Sequence, residues 1–205
     1  MASTLQKATP NPDLGPLPGE SYHYDHCING TQLRILKLLP SKDPSVRIKC
    51  KLSPFTRKNC IPYEALSYCW GDAEPKATIL VNGLPFQVGP SLAAALAHLR
   101  PDNSERDLWV DAICIDQGNT TERNSQVPKM DRVYGQASSV CVWVGEADDS
   151  SGLALSFIRD QILKKIWEFD EICANKKYTA SWAALINLMS RRWFSRVSPS
   201  IWRSR

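Results

Sequence analysis

Carboxylates and aromatic rings gather at the ends of three short apolar runs in this 205-residue chain. Tyr68, Trp70 and Asp72 close the first run; Asp111, Asp116 and Gln117 lie in and just after the second; Asp148 follows the third. Glu122 and Arg123 come a few residues beyond Gln117. Carboxylates at the rim of a crevice could hold ribose hydroxyls, and an aromatic ring could stack on a base. The alternative is structural: Asp111, Glu122 and Arg123 pair with one another and with backbone amides to fix a chain crossover.

Other chemistries lack their residues. No Gly-x-Gly-x-x-Gly, Walker-type phosphate loop, Gly-x-Ser-x-Gly or zinc signature is present. Cys69 or Cys114 as a nucleophile would need a histidine, and the three in the chain (His23, His26, His98) are distant from both in sequence. His23, His26 and Cys27 stand close together, but no second ligand cluster accompanies them, so they read as an ordinary segment without a metal. No cofactor is expected from these residues.

Strands and a helix must carry the carboxylates. Asp107 to Asp116 is apolar on both sides except at Asp111, as in a strand covered on both faces. A carboxylate there must be hydrogen-bonded or lie near an open strand end. Ser139 to Gly145 reads as a second buried strand. Between them Asn119 and Glu122 have capping-box spacing. Val127, Met130, Tyr134 and Ala137 then form an apolar helical stripe, which Pro128 must kink or restart near Ser125. Strand, helix and strand make two parallel strands of one sheet, and ligands bind outside the carboxyl ends of such strands.

The remaining elements frame this unit. Gln32 to Leu39 and Val46 to Leu52 alternate as an antiparallel pair with basic residues outward. Tyr63 to Asp72 is a strand ending at Trp70-Gly71-Asp72. Ala77 to Val88 is a hairpin around Asn82-Gly83. Pro90 and Ser91 begin a helix, with Leu92, Ala95, Leu96 and Leu99 at helical spacing, that Arg100-Pro101 ends. Gly152 to Ala174 reads as one long helix with Leu155, Ile158, Ile162, Ile166, Phe169 and Cys173 inward, followed by a helix from Ala180 to Met189.

Composition bounds the class. Hydrophobic residues are 43% and charged residues 22%, values of a globular chain. Five arginines fall in residues 191–205, so the net charge of +4 describes a tail and gives no ground for specific nucleic-acid binding. The seven cysteines are odd in number and widely spaced, as reduced thiols of an intracellular protein are, with Cys69, Cys114 and Cys141 in the core. No stretch is long and apolar enough to span a bilayer, so a cytoplasmic chain is expected.

These residues resemble the heterokaryon incompatibility (HET) domain of filamentous fungi. Ala65 to Gly71 matches its Ala-Leu-Ser-Tyr-x-Trp-Gly motif. Trp109, Asp111, Cys114, Ile115, Asp116 and Gln117, then Glu122, Arg123, Gln126, Val127 and Met130, match its central signature. Tyr134, Ala137, Val140, Trp143 and Gly145 close it. The resemblance implies a non-self recognition module that triggers programmed cell death after hyphal fusion, acting through protein partners or self-association. It also implies distant similarity to Toll/interleukin-1 receptor (TIR) domains. The fold would then be a flavodoxin-like three-layer α/β sheet with mainly parallel central strands, an N-terminal antiparallel strand pair and C-terminal helices. On that similarity NAD is a possible substrate, with Glu122, Asp111 or Asp116 orienting the ribose.

Three departures from the pattern stand out. Asp116 occupies a position where the family usually has Asn, and Pro128 enters a helix. After Trp193, Phe194 and Arg196 the family's Trp-x-x-Gln-Glu is replaced by a basic tail. The expected organisation is a disordered leader at 1–21, the HET-like domain at 22–197, incomplete at its C-terminus, and a tail at 198–205. A truncated, inactive member of the family is a further expectation.

Overall fold

The structure, a computed structural model, describes residues 20–71 and 76–196. The expected leader, tail and Asp72 lie outside them, apart from the last residues of the leader. Two compact units divide the described residues: 20–67 with 76–141, and 68–71 with 142–196. The class is mixed α/β, as expected.

Among the described residues seven strands form one sheet. They are β1 (Gln32–Leu38), β2 (Lys49–Thr56), β3 (Glu64–Tyr68), β4 (Ala77–Val81), β5 (Leu84–Val88), β6 (Arg106–Trp109) and β7 (Ser139–Trp143). Their order is β5-β4-β2-β1-β6-β3-β7. β1 runs antiparallel to both β2 and β6, while β2 with β4 and β3 with β6 are parallel. The expected N-terminal antiparallel pair is therefore β1 and β2, in register from Gln32 opposite Thr56 to Leu38 opposite Cys50.

The β4–β5 hairpin forms as read. Asn82 and Gly83 take φ of +51° and +85°, the left-handed pair that matches strand twist in a two-residue turn. Asn82 also stitches the turn to β2, its Oδ1 accepting from Leu52 N at 2.8 Å and its Nδ2 donating to Leu52 O at 3.2 Å. β2 itself begins later than its alternation suggests. Val46 belongs to a loop held by an Asp43 turn and by Arg100, which donates to the carbonyls of Val46 and Asp43.

Helix α1 (Pro90–Leu99) starts on Pro90, where a missing N–H costs nothing, and buries Leu92, Ala95 and Leu96. The run from Asp107 to Asp116 is corrected. Its strand ends at Trp109, and Asp111–Cys114 forms one helical turn, α2, closed by Cys114 N donating to Val110 O at 2.7 Å. Ile113, Cys114 and Ile115 are all buried, and a buried helical turn is as apolar in sequence as a buried strand.

Pro128 resolves the next helix into α3 (Thr120–Gln126), a 3-10 turn at Val127–Lys129 and α4 (Met130–Gln136). The expected apolar stripe is corrected with it. Val127 is 52% exposed, and the buried positions are Glu122, Gln126 and Val133. β7 is likewise no buried strand: it ends the sheet, and Val140 and Val142 are exposed.

In the second unit α5 (Ser151–Phe157) runs into a π turn at Ile158–Ile162, closed by Leu163 N donating to Ile158 O at 2.9 Å. A 3-10 turn at Ile166–Glu168 precedes α6 (Phe169–Ala174), so the single long helix is corrected to two. The inward side is set by Ala154, Phe157 and Ile172, leaving Leu155 and Ile166 exposed. α7 (Thr179–Met189) packs Ala184 and Leu188 on Ala154, and Leu185 joins Phe157 and Ile172. Trp182 meets Phe157 edge-on at 5.0 Å. A short α8 (Arg192–Arg196) follows.

Candidate functional site

The signature residues of the first unit converge on Glu122. Asn119 caps α3 by accepting from Glu122 N at 3.0 Å, which points the Glu122 side chain away from the cap and into the protein. Its Oε1 accepts from Arg34 Nη1 at 2.5 Å and from Asp116 N at 2.8 Å. Its Oε2 accepts from Arg34 Nη2 and Ile28 N, both at 3.1 Å. Glu122 is wholly buried and the Arg34 side chain is 5% exposed. Burial pushes the carboxyl up, but the hydrogen bonds from Arg34, Asp116 N and Ile28 N and the Arg34 charge outweigh it and hold it below its ordinary value.

Arg34 is shared further. Nη1 donates to Cys114 O at 3.1 Å and Nη2 to His26 O at 2.7 Å. The guanidinium lies 4.6 Å from the centre of the Tyr24 ring, whose hydroxyl donates to Ile113 O at 2.8 Å. Burial raises that phenol's pKa well above its ordinary value. One turn along α3, Gln126 repeats the device with an amide. Its Nε2 donates to Asn29 O at 2.7 Å and Gln32 O at 3.2 Å, and its Oε1 accepts from Arg57 Nη2 at 3.0 Å. Glu122 and Gln126 thus clasp the irregular segment 26–32, together with α2, onto one face of α3.

The other expected site residues fall around this clasp. Asp111 opens α2, its Oδ1 accepting from Ala112 N at 2.8 Å while its carbonyl accepts from Gln117 Nε2 at 2.9 Å. Asp116 Oδ1 accepts from Gly118 N at 3.0 Å, shaping the turn into α3. Asp111, Asp116 and Gln117 are partly exposed. Trp109 is 2% exposed and meets Tyr134 edge-on at 5.6 Å. Cys114 is buried, its Sγ accepting from Val110 N at 3.3 Å, and burial pushes its thiol up to about 12. The expectation that Glu122 faces a rim beside Arg123 is corrected: the glutamate points inward to Arg34, and Arg123 is exposed. A carboxylate so enclosed has no oxygen to offer a ribose. Arg123 instead lines an open recess of about 470 Å³ with Asn124, Val127 and Pro128.

Tyr68, Trp70, Gly71 and Asp148 belong to the second unit. Tyr68 is buried. Gly71, three residues past the end of β3, takes φ +72°, a conformation that other side chains rarely adopt. Cys69, Trp70 and Gly71 line an open recess of about 480 Å³ with Arg192 and Ser195. Asp148 is exposed and holds Arg191 Nη2 at 2.8 Å, with Ser150, Ser151 and Asn187 also donating to it. The Arg191 hydrogen bond and those of the serines hold its carboxyl far below the ordinary range.

Two partners escaped the sequence reading, Arg34 and Arg57. The reading of basic residues outward is corrected at Arg34, which is buried; the signal available was that Leu36 and Leu38, two and four residues on, share its face of the strand. All seven cysteines are free; Cys50 and Cys114 are buried, while Cys69 and Cys141 are only partly covered rather than core. Among the described residues no group of three or more His, Cys, Asp or Glu could hold a metal, and no helix is long and apolar enough to cross a membrane.

Comparison with known proteins bears on this arrangement. The family described as heterokaryon incompatibility protein (HET) matches residues 63–197. Over 172 residues the chain is 32% identical to heterokaryon incompatibility protein 6, OR allele, of Neurospora crassa, a match that covers 75% of this chain and 25% of that protein. The chain therefore spans about a quarter of that relative's length. No solved structure matches. With the match extending over β3 to β7, over α3 with its Glu122 and Gln126, and over the described residues of the second unit, the chain belongs to the heterokaryon incompatibility family.

Proposed function

We propose that this chain is a cytoplasmic signalling module for non-self recognition, in which contact with protein partners or further copies triggers programmed cell death. Family membership supports the link to heterokaryon incompatibility, as does the Neurospora crassa relative's name. The observation that carries the signalling reading is how the signature residues are used. Trp109, Cys114, Glu122 and Gln126 are buried and bonded within the fold. Arg123 and Val127, from the same signature, are exposed beside an open recess. A rigid frame presenting a mixed basic and apolar surface suits recognition of another protein.

The test is inducible expression in a filamentous fungus, reading growth arrest and uptake of a membrane-impermeant dye. Wild-type chain should arrest growth, and Arg123→Glu combined with Val127→Asp should reduce the arrest at equal protein level. Normal growth in cells accumulating folded wild-type chain would refute the reading.

A further inference from the structure

Several cations of this chain meet carboxylates. Lys37 pairs with Glu105 and Asp107, Arg106 with Glu64, and Lys164 with Asp160. One basic group of the first unit meets none. Arg57 and Lys58 lie in the 3-10 turn Arg57–Asn59 after β2, Lys129 in the turn after α3, and Arg132 in α4. Among the described residues none of the four forms an ion pair.

Tertiary contacts draw three of them together. Arg57 Nε donates to Gly30 O at 3.1 Å, and Lys129 Nζ stands against the same glycine, where a Cβ would collide with it. Arg132 comes one turn beyond Lys129, near enough for its charge to act on Arg57. Gln126 Oε1 holds Arg57 Nη2 at 3.0 Å, but Arg57 Nη1 is shielded from solvent and has no acceptor. Burial pushes that guanidinium below its ordinary value, and the Arg132 charge adds to the push. Asp131 is the carboxylate that acts on Arg57. Three cations and Asp131 leave two positive charges in excess, and exposed Lys58 makes a third. Like charges so gathered repel one another, and an anion at the cluster offsets that repulsion.

We propose that Arg57, Lys129 and Arg132 form a binding site for an acidic segment of a partner protein, whose carboxylates pair with them. Two features select that occupant. The sign of the cluster calls for an anion. Beside Lys129, Val127 and Pro128 add apolar surface in the recess they line with Arg123 and Asn124, and Val127 is 52% exposed. A peptide has apolar side chains to lay there, which a free phosphate or a nucleic-acid backbone lacks. Charges arranged this way set partner choice and the rate of encounter. The inference rests on the reading above for its partner, a protein, and on the first unit alone for its geometry.

Fluorescence anisotropy with a labelled Glu-Glu-Glu-Leu-Glu-Glu-Glu peptide reads the site in the purified chain. Saturable binding is expected at low salt, weakening as salt screens the pairs. Lys129→Gln with Arg132→Gln should raise the dissociation constant roughly tenfold or more. Lys49→Gln with Lys51→Gln removes as much charge from exposed positions of β2 and should change it less than about twofold. Circular dichroism checks that both variants are folded. No binding, or equal weakening by the two variants, overturns the proposal. An oligothymidylate or inorganic pyrophosphate that binds more tightly than the peptide overturns it as well. The assay uses no fungal cell, so growth arrest without peptide binding refutes this site alone, and binding without arrest refutes the signalling reading alone.

Discussion

Replacing Glu122 with glutamine tests the clasp most directly, since the shape is kept and the charge removed. Each carboxylate oxygen receives only donors: Arg34 Nη1 and Asp116 N at one, Arg34 Nη2 and Ile28 N at the other. Whichever way the amide turns, its NH₂ faces an N–H and a guanidinium. Arg34, 5% exposed, keeps the Cys114 and His26 carbonyls and the Tyr24 ring but loses the Glu122 carboxylate. Breaking a buried pair from one side costs about 3–5 kcal/mol, against about 1 kcal/mol for an ordinary hydrogen bond, so the uncompensated charge dominates. For a chain of this size that is a fall of roughly 6–20 °C in Tm by calorimetry.

The pH dependence has a definite sign. The folded Glu122 carboxyl titrates below its ordinary value, so its contribution is present above the unfolded value and is lost as pH falls through the folded one. The gap between wild type and Glu122→Gln should therefore narrow on acidification. Removing both charges, Arg34→Leu with Glu122→Leu, should cost clearly less than the two single changes together. A Glu122→Gln loss under about 1 kcal/mol, or single losses that simply add, would refute the reasoning.

Other outcomes follow from the same contacts. Gln126→Leu leaves Asn29 O, Gln32 O and Arg57 Nη2 without their partner and should cost about 1–3 kcal/mol, with hydrogen exchange at residues 26–32 speeding first. Cys114, with its thiol near 12, should resist iodoacetamide at mildly alkaline pH while exposed Cys27 and Cys173 are alkylated; mass mapping of labelled peptides reads this. Asp148 should titrate by NMR well below an ordinary aspartate and move up in Arg191→Ala, since the Arg191 hydrogen bond is the first cause of its depression. An unchanged midpoint in that variant would place the cause elsewhere.

Short-range signals were read correctly where short-range physics decides. The Asn82-Gly83 hairpin, the Pro90 helix start, the Asn119 cap and the interruption at Pro128 each depend on backbone preferences of a few adjacent residues, though the helix restarts at Met130 and not near Ser125. The errors share a cause too. Apolar content marks burial and not conformation, so the helical turn Asp111–Cys114 passed for strand, and the edge strand β7 passed for a buried one. The periodicity of residues 152–174 hid a π turn, whose extra residue changes which side chains face inward.

By itself the sequence determined the α/β class, most element positions and the family, because those follow from local pattern and from motifs carried in one stretch. It placed Asn119, Glu122 and Gln126 together on a capped helix. Only the tertiary structure decided what Glu122 does. Its partner, Arg34, is 88 residues away, and a charge pair at that separation leaves no periodic trace in either segment. Folding brings β1 against the start of α3, and desolvation there turns a glutamate that could have faced a ligand into an anion buried against Arg34.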